Sequence, residues 1–257
     1  MSKTLKICKK YFVTAVILIS MVCMVVSVGP INANAATSVN VPVLCYHVVT
    51  NNPSGTYQFS LSEFKNQLAY LKKNGYTTLS MNQFIQIMNN KAAAPSKPIL
   101  LTFDDCTSDF ASNVVPALSQ YGMKATQFVV SSWVNTSGHL TSAQLKSFSG
   151  KGYDIQCHTV SHISLKGQSY SKQYSEIQNN KTAINSYTGI TPSVLAYPYG
   201  PYDQNTITAQ QNSGIKMGFT VNGGLCNSST NKYALPRAVI VNGDSLTTFA
   251  RKITKGY

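Results

Sequence analysis

The chain has 257 residues, with 21 Lys and Arg against 8 Asp and Glu, and a formal net charge of +13. That length buries one sizeable core and hardly two. The positive excess comes with no RNA- or DNA-binding motif, which excludes nucleic acid as the expected partner. Anionic cell-wall polymers, lipid headgroups or simple solubility remain as its reading.

Lys3, Lys6, Lys9 and Lys10 precede an apolar run from Tyr11 to about Gly29 and then the small-residue pattern Ala33-Asn34-Ala35. This is the layout of a bacterial-type secretory signal, so residues 1–35 are expected to be a signal peptide and residues 36–257 a single folded domain. The run is also near bilayer-spanning length. An uncleaved anchor is therefore the alternative, and the only route by which a membrane enters. Cys23 follows Met21 and Val22 rather than a small residue, so lipidation is not expected. Cleavage after Ala35 would remove four lysines and leave 222 residues with 17 basic and 8 acidic, a net charge of +9. In either case the folded part is expected outside the cytosol, secreted or associated with the cell wall. An even set of cysteines in an exported chain (Cys45, Cys106, Cys157, Cys226) ordinarily suggests disulfides, but buried free thiols at strand ends fit equally, and no pairing is assigned.

There is no internal repeat and no domain-sized linker; the two prolines in 92–98 are the only obvious punctuation. Val41 to Tyr46 reads as a strand. Ser62 is placed to cap a helix in which Phe64, Leu68 and Leu71 share a face and which ends at Gly75. Pro98 to Phe103 is a buried strand, Ser108 to Tyr121 a helix stopped by Gly122, and Ala125 to Val130 a strand. Thr141 to Phe148 reads as a helix and Tyr153 to Cys157 as a strand. A helix through Tyr174 to Tyr187, a strand at Val194 to Tyr197, a helix after Asp203 and a strand near Met217 to Val221 complete the alternation. This pattern predicts an α/β fold with a parallel sheet and outer helices. Function then belongs at the carboxyl ends of the strands.

The unusual residues fall there. Asp104 and Asp105 follow a buried strand, and two adjacent carboxylates facing one site repel unless a cation or proton separates them. A capping role would account for only one of them. His158 and His162 follow the strand ending at Cys157; four apart on a helical turn, both imidazoles would face one ion. A lone histidine pair is as often structural, but with Asp105 the set becomes two nitrogens and one oxygen, the composition of a catalytic metal site with open positions. The turn 196–203 is rich in Gly and Pro and can aim the Tyr199 N–H at a developing oxyanion.

Together, Thr102-Phe103-Asp104-Asp105 and His158-Thr159-Val160-Ser161-His162 resemble the polysaccharide deacetylases of carbohydrate esterase family 4, the NodB-homology domain, over roughly Val41 to Val241. The resemblance implies a distorted (β/α) barrel with fewer than eight strands, so that residues 36–257 form one catalytic domain. It implies a divalent metal held by Asp105, His158 and His162, zinc first, with cobalt, nickel or iron accommodated by the same donors. It makes Asp104 the base and an N-acetylated polysaccharide the substrate. Two departures stand out: the third motif, 194–199, lacks the arginine that many members place on the catalytic Asp, and no histidine follows His162. Tyr46-His47 and Leu235-Pro236-Arg237 resemble the branch containing biofilm poly-N-acetylglucosamine deacetylases, which implies that Arg237 orients Asp104 and His47 is the general acid. O-acetyl xylan esterases of the same family and a degenerate, non-catalytic glycan-binding module are the competing readings. Among lesser candidates, Trp133 is suited to stacking on sugar or to packing, His139 to the surface or to capping, and Asp154 to supporting a metal histidine or, equally, to an ordinary place at a strand start.

Overall fold

Short, buried, largely apolar runs set the strands Val43–Tyr46, Pro98–Phe103, Thr126–Val129, Val194–Ala196 and Met217–Phe219, and the helices that begin at Ser142, Tyr170 and Gln204 each start at a side-chain cap. The computed structural model describes residues 39–257; the expected signal or anchor, residues 1–35, lies outside them. The elements, in order, are β1 (Val43–Tyr46), β2 (Val48–Thr50), β3 (Gln58–Ser60), α1 (Leu61–Lys73), β4 (Thr77–Thr78), α2 (Met81–Met88) and β5 (Pro98–Phe103). A π-helical turn (Phe110–Val114) leads into α3 (Val115–Tyr121), followed by β6 (Thr126–Val129), α4 (Ser142–Gly150) and β7 (Asp154–Cys157). Then come α5 (Tyr170–Thr188), β8 (Val194–Ala196), α6 (Gln204–Asn212), β9 (Met217–Phe219), β10 (Ala238–Val239) and α7 (Leu246–Lys255).

The main sheet is parallel, in the order β10-β1-β5-β6-β7-β8-β9, with β4 beside the start of β5. Its ends are joined by one segment. Leu235 bridges Phe219 of β9, and three residues later Ala238 pairs with Leu44 of β1. Residues 235–239 thus cross the gap, and the curled seven-stranded path makes a distorted (β/α) barrel. Along the strands, alternate residues enter separate cores, as the two-residue period of a strand requires. Leu44, Leu101 and Val129 face the surrounding helices. Val43, Leu100 and Phe128 face inward, onto α2.

Helix α2 plugs the base of the barrel. Met81, Phe84, Ile85, Ile87 and Met88 pack against Val194, Met217 and Phe219, with Phe84 and Phe219 rings 5.6 Å apart. Burying Phe84 completely contributes about 1.5–3 kcal/mol. Its first turn is fixed by a reciprocal box in which Ser80 accepts from Gln83 N–H, and by Asp154, which accepts the Met81 N–H at 2.8 Å. That contact places Asp154 at the amino end of β7, away from the histidines, so it does not support a metal ligand.

Several boundaries differ from the sequence reading. Ser60, not Ser62, precedes α1, because the helix starts immediately after β3. The segment 108–121 does not form one α-helix: Val115 N–H reaches back to Phe110 O in a wide π turn, and Pro116, which has no N–H to donate, follows as the α register resumes. All four cysteines in 39–257 are free and buried.

Candidate metal centre and active site

The carboxyl ends of β1, β5, β7 and β8 meet around one cavity of about 320 Å³, lined by His47, Tyr57, Asp104, Asp105, His158, His162, Tyr199, Val221 and Val239. After Phe103 the chain turns abruptly. Asp105 and Cys106 take φ values of 75° and 51°, a left-handed conformation costly for residues with a side chain, about 1–3 kcal/mol each. The turn is held by Asp104 N–H to Tyr46 O at 3.0 Å and Leu140 N–H to Cys106 O at 2.9 Å. It brings both carboxylates to the same cavity instead of opposite faces of a strand.

The histidines are not on a helical turn. Residues 158–162 form a loop in which Thr159 and His162 have φ of 67° and 55°. A spacing of four suits a helix, but here backbone anchors impose the geometry. Glu176, buried on α5, accepts the N–H groups of Val160 and Ser161 at 3.0 and 2.9 Å and the Ser161 hydroxyl at 3.0 Å. One turn on, Asn180 donates to Thr159 O at 2.5 Å and to Val129 O at 3.0 Å. Thr159 Oγ1 accepts the His162 N–H at 3.0 Å. Neither Glu176 nor Asn180 was singled out from sequence; the available signal was a polar stripe (Gln173, Glu176, Asn180) on the same face of α5 as the buried Ile177 and Ile184.

His158 Nδ1 donates to the Ala196 carbonyl at 2.8 Å, which fixes the tautomer and leaves the Nε2 lone pair facing the cavity. Nε2 of His158 and of His162 lie 3.5 and 3.3 Å from Asp105 Oδ1, a buried oxygen with no hydrogen-bond partner. Three ligand atoms within 4.8 Å of one another, one an orphaned anionic oxygen, fit a divalent cation by donor type and by unmet need.

Behind this trio sits the buried Arg237. The chain passes from β9 to β1 at this residue, so its side chain enters the barrel beneath the cavity. Nη1 and Nη2 donate to the two oxygens of Asp104, each at 2.7 Å, Nε donates to Thr220 O at 2.9 Å, and the guanidinium lies over the Phe128 ring at 5.4 Å. Burial pushes the Asp104 carboxyl up, but Arg237, then His158, outweigh it and hold the group well below the usual carboxylate range. Burial also opposes ionisation of Asp105, and His158 overcomes it, leaving Asp105 lowered. Burial likewise disfavours charge on His158, which Asp104 and Asp105 more than offset, whereas His162 and His47 are lowered by their own burial.

His47, just past β1, presents a buried Nδ1 without a partner and packs on Tyr57 at 4.8 Å. Tyr199 has a φ of 63°, and its ring, 65% exposed, stands edge-on to His162 at 4.8 Å. Trp133 packs on the other side of His162 at 5.1 Å and on His139 at 5.1 Å. The candidate residues from sequence are therefore gathered at one site, except Asp154; Arg237 lies beneath the cavity rather than on its wall.

Comparisons with known proteins show the family. The sequence profile of the family described as polysaccharide deacetylase matches residues 91–218. YxkH of Bacillus subtilis strain 168, provisionally named a polysaccharide deacetylase, is 30% identical over 212 residues, covering 82% of this chain and 75% of its own. A poly-beta-1,6-N-acetyl-D-glucosamine N-deacetylase of Staphylococcus epidermidis is 27% identical over 210 residues, 76% of this chain and 72% of that one. Among solved structures, the deacetylase PplD of Streptococcus pyogenes, in complex with acetate, superposes with a TM-score of 0.80 at 27% identity over 84% of this chain and 99% of that chain. The fold, the order of the two motifs and these likenesses together place the chain in the polysaccharide deacetylase family.

Proposed function

We propose that this chain removes N-acetyl groups from an N-acetylglucosamine-containing polysaccharide outside the cytosol, with a divalent cation held by Asp105, His158 and His162. The observation that carries the reading is the unpartnered Asp105 Oδ1 between two Nε2 atoms, beside a carboxylate clamped by Arg237. The name of the Staphylococcus epidermidis relative supports the choice of an amide-linked acetyl group in poly-N-acetylglucosamine. Zinc suits a two-nitrogen, one-oxygen set best, and cobalt, nickel or iron suit the same donors.

When bound, the cation supplies Lewis acidity toward the acetyl carbonyl and lowers the pKa of water. Arg237 fixes the plane of Asp104 by two charge-assisted bonds, so that Asp104 accepts the proton of the attacking water without rotating away. The low basicity of Asp104 would be tolerable toward a water acidified by the cation. The Tyr199 N–H, presented by the left-handed turn at 199–200, is the donor toward the tetrahedral oxyanion. His47, with a ring nitrogen within 4.8 Å of an Asp104 oxygen, passes the proton to the leaving nitrogen. Hydroxide adds to the acetyl carbon, the C–N bond breaks and the nitrogen gains the proton, giving acetate and a free sugar amine.

The test is acetate release from peptidoglycan, poly-N-acetylglucosamine, chitin oligomers and acetyl-xylan, with and without chelator. Expected are release from a glucosamine polymer, loss on chelation and recovery with zinc or cobalt. Full activity of a metal-free preparation refutes the metal role, and release from acetyl-xylan alone makes the chain an esterase.

A further inference from the structure

Parallel strands all begin on one edge of the sheet, so residues just ahead of them share that edge however far apart they are in sequence. Here the edge opposite the catalytic cavity is lined with lysine. Lys97 immediately precedes β5, Lys124 lies two residues before β6, Lys151 three before β7, and Lys216 immediately before β9. Lys232 joins them: its carbonyl accepts the Gly218 N–H of β9 at 2.8 Å, and its Nζ donates to Asn89 Oδ1, at the end of α2, at 2.5 Å. Lys124 Nζ lies 2.6 Å from Lys151 O, so the row is continuous across β6 and β7. Lys216 and Lys232 border a hollow of about 370 Å³, and Lys181 lies against Gly214 in its wall.

No carboxylate among the described residues neutralises this row. Of the chain's eight acidic residues, Asp104 and Asp105 face the catalytic cavity, Glu176 pairs with Lys172, and Asp244 pairs with Lys252. Asp109 accepts the Val49 N–H, Asp203 caps α6, Glu63 lies in the first turn of α1, and Asp154, the one acid near this edge, is turned to the Met81 N–H. Neighbouring strands are about 4.8 Å apart, inside a Debye length of about 8 Å at physiological ionic strength, so adjacent ammonium groups reinforce one another's field.

We propose that this edge docks a linear polyanion whose repeats carry phosphate, holding the enzyme with its catalytic face turned away from the bound polymer. Three observations select that occupant. The charges form a row ending in a hollow, which suits a chain. A bilayer needs a cluster of apolar groups to insert, and the large exposed apolar side chains ahead of strands on this edge, among the described residues, are two single ones, Val39 before β1 and Ile190 before β8. Single-stranded nucleic acid is held by a run of free aromatic faces, and this edge offers one, Tyr233 in the hollow, since Lys97 Nζ sits over Tyr76 at 5.7 Å and Lys124 Nζ over Tyr153 at 4.8 Å. The inference does not depend on which bond the catalytic site cleaves.

The experiment measures binding of inorganic polyphosphate to the full chain, with oligothymidylate of equal charge and vesicles containing anionic lipid as competing probes. Polyphosphate is expected to bind best, with a log–log salt slope of about −3 to −4, from about 0.7 per phosphate neutralised on a single-stranded polyanion. The variant K97Q/K124Q/K216Q/K232Q is expected to bind at least about tenfold more weakly at unchanged melting temperature and unchanged acetate release from a soluble oligomer. K65Q/K166Q/R251Q/K255Q, which removes equal charge from exposed positions elsewhere, is expected to bind as the parent does. Equal loss in both variants reduces the effect to net charge and overturns the proposal, as does tighter binding to vesicles or oligothymidylate. Unchanged binding by the first variant overturns it also.

Discussion

Replacing Arg237 with Met keeps an unbranched side chain of similar reach but removes both charged donors to Asp104, leaving only the weak thiol donor of Cys45 at 3.4 Å. The carboxylate is 2% exposed and receives two bonds of 2.7 Å from that one guanidinium. Breaking a buried pair by deleting one partner costs about 3–5 kcal/mol, most of it the orphaned charge. Thr220 O also loses its 2.9 Å bond from Nε. If this reasoning holds, changing Asp104 to Asn in the same chain removes the orphan. D104N/R237M should then be more stable than R237M by at least about 2 kcal/mol, and the cycle should show coupling of that order. The sign of the pH dependence checks the cause. In the parent, Asp104 is depressed, so its stabilisation is present above the unfolded value near 4 and lost as pH falls through the folded one. In R237M burial acts unopposed by Arg237 and raises the group, so stability should increase as pH falls from 8 toward 5, because a raised carboxyl stabilises in its protonated form. Urea unfolding of all four proteins, with chelator present so that no cation compensates the charge, reads both quantities. Strict additivity, or a cost for R237M below about 1 kcal/mol, refutes the account.

Three further outcomes are expected. His47→Asn should lower turnover at least about tenfold while leaving the zinc-induced rise in melting temperature intact; an unchanged pH–rate profile would remove His47 from the reaction. Glu176→Gln leaves one carbonyl oxygen where a carboxylate held two N–H groups and a hydroxyl, so zinc affinity should fall about ten- to a hundredfold, as for other groups that position metal ligands, in zinc titrations. Asp203→Ala removes the α6 cap and should cost about 1 kcal/mol at pH 7. Bonds from Gly167, Thr206 and Gln173 lower Asp203 to about 2, so that contribution should be present above pH 4 and shrink as pH falls toward 2 in urea midpoints.

The alternation of strands and helices was legible because buried strands are short apolar runs and helices carry caps such as Thr141 and Asp203. Helix α2 was not read, although Ser80 and Gln83 form a capping box and exposed Asn82 and Gln83 stand against buried Phe84, Ile85 and Met88, because its eight residues span little more than two turns, too few for a period to stand out. Strand β10 is two residues long and invisible to any period. Asp104, Asp105, His158 and His162 were conspicuous through residue type and strand-end placement, yet the helical turn expected at 158–162 is a loop, since a spacing of four does not report φ. The positions of His47 and Arg237 came from family resemblance, and both lie outside the profile match at 91–218. Glu176 acts on backbone N–H groups, which leave no mark in sequence.

The crossing at 235–239 also makes catalysis the last thing the chain can acquire. Leu44 pairs with Ala238, and Asp104 meets its only arginine 133 positions downstream, so neither the ring nor the clamped base exists until almost the whole polypeptide is available. Contacts of such separation are slow to form, because loop closure must be met before they stabilise anything. A partly synthesised chain, or one clipped before residue 237, would carry every metal ligand and still lack the clamp on its catalytic carboxylate, a built-in delay between making the protein and arming it.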